Sequence, residues 1–470
     1  RLISESRISI YTKYFIVPKI FLFVYALLFL VFLFINKRYA LNLLWAGIFI
    51  VPYRVYTMRF LPGCSLIEFQ SLIIFLFLSS KSIKGIISVI YPIRHSLFFY
   101  LCTCVLLLLF STAVPCIMQI RYYKNEFFEF LLLIVTWYCL RSDRDTVLSL
   151  LKVLVVCLLL NAFYGFYSVI VGVNIFATPL NILLGVDIDN AVDMINQSRG
   201  FLSFRLQSLF EHPLTLAQCY LLLLPAILWN KRYFSKRSYI AIVITITISI
   251  FLTGSRSALF PLVLMFLYFF ISYLRKKRKY VFPFFCIVIC SMFLLNSIQT
   301  EDREYKDVVQ SIKASVFFWD ESLQKKQKIE GSSVSMRINQ LDAMVDIISQ
   351  TNIFVGYGRG FREVFAARST KIDGKLLGFE SVFLLKPVEQ GILGLFSYFI
   401  LIFSLWKLFM RKRKTREYIT VLYSIFILSI IMTGIRPYSF IMLGLSSGLI
   451  CFSENNINRK GECKEKYLKI

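Results

Sequence analysis

The chain reads as an all-α polytopic integral membrane protein, with one large extracytoplasmic loop that contains an amphipathic helix. Three observations predict this. Of 470 residues, 57% are apolar and only 17% charged, with mean hydropathy +0.68; soluble domains have roughly 45–50% and about 25%. Several stretches exceed the roughly 20 apolar residues that span a bilayer, among them "FIVPKIFLFVYALLFLVFLFIN" (15–36) and "SLFFYLCTCVLLLLFSTAVPCIMQI" (96–120). Third, the basic residues gather in short connectors, "KRYFSKR" (231–237), "RKKRK" (275–279) and "RKRKTR" (411–416). That clustering is the positive-inside signature and predicts a cytoplasmic side for all three.

In order, the spans read as residues 16–36, 40–53, 66–80, 96–119, 126–140, 147–173, 206–229, 239–255, 257–274, 280–297, 381–410, 418–434 and 436–452. The stretch at 40–53 is short for a span, so the count is about 12 or 13. The basic connectors place the ends near 205, 255, 298, 380 and 435 outside. Five regions follow: N-terminal helices at 1–173, helices with an outer loop (174–205) at 174–297, a large outer loop at 298–380, C-terminal helices at 381–452 and a cytoplasmic tail at 453–470. The chain opens on Arg1 rather than methionine, and no cleavable signal is read. No internal repeat of the kind found in many transporters is visible.

Composition also excludes functions. The net charge of +26 sits in separate connectors rather than on one continuous, aromatic-interleaved surface, which argues against nucleic acid. Of eleven cysteines, Cys102, Cys104, Cys116, Cys157, Cys286 and Cys290 lie inside apolar runs and read as small buried hydrophobes. His95 and His212 are the two histidines, so no histidine-rich metal site is expected, and no cofactor.

The outer loop at 298–380 holds 12 Lys+Arg and 12 Asp+Glu, no net charge at all. A connection that long is usually functional. Within it, Met336, Leu341, Met344, Val345 and Ile348 recur at helical spacing behind serines able to cap, which predicts an amphipathic helix at 332–350 on the outer membrane surface. "FVGYGRGF" (354–361) follows directly. It lacks the strand, helix and distant acid of a dinucleotide fingerprint. Its glycines either turn the chain or let backbone approach a neighbour closely.

Arginines recur at the predicted outer ends: Arg199 and Arg205, Arg256 in a very short turn, Arg337, Arg359 and Arg362 on the loop, and Arg436 in another short turn. Each alone could snorkel to headgroups. As a set outside they point to an anionic ligand, because the guanidinium fork suits phosphate oxygens and stays charged in a partly dry site. "GFESVFLLKPVEQGILGLFSYF" (378–399) brings Glu380, Lys386 and Glu389 to the outer end of an apolar span, where ionisable groups are costly and usually functional. Glu380 lies at the mouth; Glu389, deeper, reads as a structural partner for Lys386 or an arginine. His212, beside Pro213, reads as a structural hydrogen-bonding residue.

These segments together resemble the O-antigen ligase and polymerase superfamily. "RLQSLFEHPLTLA" (205–217) resembles its arginine-then-F-x-[H/N]-P element, and "TGSRSAL" (253–259) its SRG-type turn. "SMRINQLDAMVDIISQTNIFVGYGRGF" followed by "ESVFLLKPVEQGILGL" resembles its R…GxG…(H/E/D)-[NS]…E-x-G-x-x-G block. Ligases of the family typically carry histidine where Glu380-Ser381 stands, so the glutamate looks more like the polymerases. The resemblance implies a GT-C-like fold and a multi-pass protein of the bacterial cytoplasmic membrane with its site facing outward. The implied activity joins undecaprenyl-diphosphate-linked oligosaccharides by inverting transfer, with Glu380 as base and Arg205, Arg256, Arg337, Arg359 and Arg436 on the diphosphate. Implied partners are the bilayer, a chain-length regulator and a flippase. A ligase acting on a lipid or protein acceptor is the nearer rival reading, and a lipid-linked oligosaccharide flippase the more distant one.

Overall fold

A computed structural model describes residues 2–61, 64–111, 113–176, 205–276, 334–361, 381–435 and 438–467, with side chains at 2–18, 54, 59–60, 274–276, 334–337 and 454–467 left aside. Helices carry nearly all of it. The N-terminal part comprises α1 (Leu2–Ile35), α2 (Lys37–Ile50), a single turn α3 (Tyr53–Tyr56), α4 (Leu66–Ile90), α5 (Arg94–Phe110), α6 (Cys116–Ser142) and α7 (Arg144–Val171). In the later part come α8 (Pro213–Trp229), α9 (Lys236–Leu252) and α10 (Arg256–Lys276), then α11 (Val334–Ser349), α12 (Val382–Phe409), α13 (Arg416–Thr433) and α14 (Ser439–Tyr467). One small antiparallel pair, β1 (Arg59–Leu61) with β2 (Cys64–Ser65), departs from the all-α expectation.

Five described segments are long and apolar enough to cross a membrane: Leu66–Phe110, Arg144–Val171, Arg256–Tyr273, Val382–Phe409 and Arg416–Thr433. Lys19–Ile35, Pro213–Trp229 and Ser439–Ser453 are shorter apolar helices. Two expected spans are corrected. The stretch at 40–53 is the 14-residue helix α2, which buries eight of its residues and is too short to cross. The span expected from 206 starts only at Pro213, because residues 205–212 run as irregular chain. The span expected at 280–297 lies outside the described residues.

Local chemistry sets these boundaries. Asn36 ends α1 and caps α2, its side chain accepting from Arg38 N at 2.9 Å. Asp143 separates α6 from α7, its Oδ1 accepting from Asp145 N at 3.0 Å. His212 caps α8 through Nδ1, which accepts from Leu214 N at 3.1 Å, and Pro213 follows at the first helical position. That is the structural role expected of the histidine.

The core centres on α8, buried at every residue from Pro213 to Ile227 and packed on α9, α13 and α14. A helix apolar all round belongs in the middle of a bundle, and this one is there. Helix α14 begins at the end of the bundle where residues 434, 435 and 438 lie. The far end of its apolar stretch, Ser439–Ser453, meets the basic connectors: Lys412 Nζ donates to Cys451 O at 2.7 Å and Arg232 Nη2 to Ser453 O at 3.2 Å. The start of α14 and the basic connectors therefore lie at opposite ends of the bundle.

Candidate functional site

The glycine loop answers its own question through hydrogen bonds. Gly391 breaks α12 with φ +62, ψ −173, so residues 392 and 393 cannot donate back to carbonyls 388 and 389 as a helix requires. The loop replaces the missing bonds. Tyr357 N donates to Val388 O at 2.9 Å and Gly358 N to Glu389 O at 2.8 Å. In return Ile392 N donates to Ile353 O at 2.9 Å and Leu393 N to Phe354 O at 3.3 Å. All four backbone groups freed by the break are satisfied, as a buried interruption demands.

Two glycines make this approach possible. A Cβ on Gly391 would sit 2.2 Å from the carbonyl of Phe354, and one on Gly356 would sit 2.7 Å from Gly391 N and Val388 O. Both residues also hold positive φ, +62 and +69. The close approach is thus to the protein's own backbone. Helix α11 closes over this unit. Met344, Ile347 and Ile348 pack on Leu384 and Val388, while Leu341 and Val345, on the flank of the same stripe, stay exposed. The helix is amphipathic as expected, but half of its apolar stripe faces α12.

The docked loop delivers Arg359 into a charged network. Its Nη1 donates to Glu389 Oε2 at 2.6 Å and its Nη2 to Glu126 Oε1 at 2.8 Å. Glu389 also accepts from Gly360 N at 3.2 Å, and Glu126 accepts from the Tyr100 hydroxyl. Gln119 ties the loop to the chain before α6, accepting from Arg359 N at 3.3 Å and donating to Ser111 O and Val114 O at 3.0 Å each. Burial would lower the Arg359 pKa, but Glu126 and Glu389 outweigh it and hold the group well above its usual range. Glu389 is the structural partner of an arginine that its position predicted. Arg359 is committed to two carboxylates, a different use from the phosphate contact expected of it. Lys386 turns instead to Gln390 Oε1, 2.7 Å away, and lies over the Tyr398 ring.

A second polar point forms where residues 205–212 meet the turn between α9 and α10. Arg205, 1% exposed, donates from Nε to Thr253 O at 2.8 Å and from Nη2 to Ser255 Oγ at 3.1 Å. Leu206 N adds a bond to Leu252 O at 2.9 Å. Arg205 thus grips the turn whose next residue is Arg256, so the structure brings these two predicted arginines together. The backbone of Arg337 lies in α11. Arg199, Arg362, Glu380 and Arg436 lie outside the described residues.

Beside the Arg359 network is a cavity of about 430 Å³, within the range of small-molecule sites, about 300–1,000 Å³. Its charged lining is Glu68, Glu126, Glu129, Arg121, Lys124 and Arg359. Lys124 pairs with Glu68 at 2.9 Å. Tyr53 and Tyr438, in edge contact at 5.4 Å, form part of the wall. Tyr53 N donates to Leu209 O at 3.0 Å, so the cavity wall adjoins the 205–212 segment. The two non-glycine residues with positive φ among the described ones are Ser208 and Tyr438, at +54 and +68. Both border this region, and strained backbone of this kind clusters at functional sites.

Sequence reasoning missed Glu68, Glu126, Glu129 and Lys124. The signal was present in "RYYKNEFFEF" (121–130), where Glu126 and Glu129 intrude into a predicted span. Attention to arginines at the outer ends of later spans passed over it.

No curated protein and no solved structure gives a significant match to the chain. A family model described as O-antigen ligase matches residues 240–399. That segment runs from α9 through the Arg256 turn, α11 and the glycine loop into α12, so it contains Arg256, Arg337, Arg359, Arg362, Glu380 and Glu389. Arg199, Arg205, His212 and Arg436 fall outside it. Over residues 240–399, about a third of its length, the chain is thus similar to the O-antigen ligase family.

Proposed function

We propose that the protein is a membrane glycosyltransferase of the polysaccharide-polymerase type, joining undecaprenyl-diphosphate-linked repeat units at the outer face of the cytoplasmic membrane. The observation that carries this is the coincidence of the family segment with the Arg205-gripped turn that presents Arg256. In this reading Arg256, Arg337 and Arg436 hold the diphosphate, Arg205 fixes the turn beneath Arg256, and Arg359 positions the loop. Fixed guanidinium charges stabilise the leaving diphosphate where its charge grows. The acceptor hydroxyl oxygen bonds to the anomeric carbon as the bond to the diphosphate breaks, with the electron pair leaving on the diphosphate. Glu380 takes the hydroxyl proton, a contribution of about 10²–10⁴ in rate. A single displacement inverts the anomeric centre.

The similarity to a family of O-antigen ligases favours a second reading, transfer of a finished glycan to a lipid or protein acceptor. Gel profiles of surface polysaccharide from cells lacking the chain separate the two. A single repeat unit left attached supports the polymerase, and loss of all attached glycan supports the ligase. Lipid-linked units retained on the inner leaflet would overturn both in favour of a flippase. Within the polymerase reading, Glu380→Gln abolishes chain extension without loss of membrane insertion; full activity in that variant removes Glu380 as base.

A further inference from the structure

The cavity beside Glu126 has a chemistry of its own. Two of its three lining cations are already answered: Arg359 by Glu126 and Glu389, Lys124 by Glu68. With three carboxylates and three cations around it, the cavity offers an anion little net attraction. The remaining polar lining is mostly uncharged, phenols with Thr57, Ser65 and Asn125, beside Arg121 and the Glu129 carboxylate. Tyr398 and Tyr438 are each 5% exposed and line the cavity, and neither hydroxyl has a hydrogen-bond partner among the described residues. The Nε of Arg359 is likewise buried and unpartnered there. Glu129, one helical turn beyond Glu126, lines the same space and makes no hydrogen bond or ion pair with any described residue. Buried polar groups in folded proteins are almost always satisfied, so three on one wall, with the half-buried Glu129 beside them, call for a ligand rich in hydroxyls.

Aromatic faces complete the picture. Tyr53, Tyr100 and Tyr122 line the cavity with the phenols above. A pyranose ring presents an apolar C–H face and a polar rim, which matches rings offering apolar area beside hydroxyl and carboxylate partners. Most of this wall comes from residues 53, 57, 65–68, 100, 121–130, 435, 438 and 440, outside the matched family segment, whereas Arg359 and Tyr398 come from within it.

We propose that this cavity is the acceptor-sugar site: it seats the terminal sugar of the accepting glycan, with Glu129, Tyr398 and Tyr438 hydrogen-bonding its hydroxyls. The inference rests on the glycosyl-transfer reading above and deepens it. Segments outside the shared family domain then determine which sugar is accepted, while the family segment handles the donor. The contact from Tyr53 to Leu209 puts acceptor and donor sites side by side, as transfer between two held substrates requires.

The test uses the full chain in lipid nanodiscs. The probe is the free oligosaccharide repeat unit released by mild acid from the lipid-linked intermediate of the same cells. Binding is read by calorimetry, and chain extension is followed in parallel with the lipid-linked unit as donor. Glu129→Gln is expected to weaken saccharide binding about tenfold, a loss typical of a hydrogen bond to a charged group. Its acceptor KM rises in step while its donor KM stays at the wild-type value. Tyr438→Phe, which keeps the ring and removes only the hydroxyl, moves the same two quantities in the same direction by less. Retained saccharide binding in Arg256→Ala, with extension lost, supports the separation of the two sites. Wild-type affinity and acceptor KM in both Glu129→Gln and Tyr438→Phe overturn the proposal. So does a wild-type protein that extends chains but does not bind the saccharide, which leaves the polymerase reading standing. A wild-type protein that neither extends nor binds overturns that reading and this inference with it.

Discussion

Two arginine–carboxylate clusters occupy opposite ends of the bundle. At one, Arg38 meets Asp143 at 2.8 Å and Asp145 at 3.4 Å, with side chains 27%, 31% and 68% exposed. At the other, Arg359 bridges Glu126 and Glu389, the latter only 4% exposed. Helix α2 runs between them: Arg38 stands at its start, and Tyr53 of the cavity wall follows its end. The same chemistry does two jobs because burial differs. Water screens the Arg38 cluster, which pins the α6–α7 turn to α2. In the second cluster Arg359 and Glu126 keep 18% and 22% exposure but Glu389 is shut off from water, so its charge depends on Arg359, and the network fixes the docked loop against the broken helix.

That contrast is open to direct attack, and the largest effect should come from the buried end. Arg359→Met strands Glu389 and Glu126 without their cation and is expected to cost about 3–5 kcal/mol, read as lost thermal stability in detergent. A change under about 1 kcal/mol, the size of an exposed pair, would show that the network is solvated after all. Next is Gly391→Ala, whose added Cβ meets the Phe354 carbonyl at 2.2 Å. The loop must undock, and its four exchanged hydrogen bonds at about 0.5–1 kcal/mol each give a loss of about 2–4 kcal/mol. Gly172→Ala is the control: the φ there is +72 but a Cβ would touch nothing within 4 Å. It is expected to cost about 1 kcal/mol, from the left-handed backbone alone. Equal melting of the two alanine variants would show that loop docking adds nothing.

Asp143→Asn should produce the smallest change, less than about 1 kcal/mol. Burial nudges the Asp143 carboxyl upward, but the Thr146 hydroxyl, Arg38 and the Asp145 amide together bring it below its ordinary 3.8. A depressed carboxylate stabilises the fold fully above its unfolded value and loses that contribution as pH falls through the folded value. Wild-type stability should therefore fall slightly below about pH 4 by a component that Asp143→Asn lacks. A difference between the two that appears instead near neutral pH would contradict the assignment.

The helical architecture was legible because apolar length and basic connectors report directly on membrane spans. His212 as a cap and Glu389 as an arginine's partner were legible for a similar reason: each sits where a single local rule applies. The use of the glycine loop was not. Its meaning depends on a break at Gly391, some thirty residues later in the chain, and only the fold shows that the two backbones exchange hydrogen bonds. Arg359 and Arg205 were both read as cations facing a ligand. A one-dimensional pattern gives their sidedness, whereas the partners that occupy them, Glu126 and the Thr253–Ser255 turn, are distant in sequence. Glu126 and Glu129 carried a readable signal, charge inside a span, that the arginine pattern overshadowed.

The account as a whole requires that α11 and the loop it leads into lie outside the cell and the 411–416 connector inside. Single cysteines at Asp342→Cys and Arg413→Cys, both exposed positions, can be introduced after the native cysteines are replaced. A membrane-impermeant maleimide should label Asp342→Cys in intact cells and Arg413→Cys only after permeabilisation. Labelling in the reverse order would put the Arg359 loop in the cytosol and contradict transfer at the outer face.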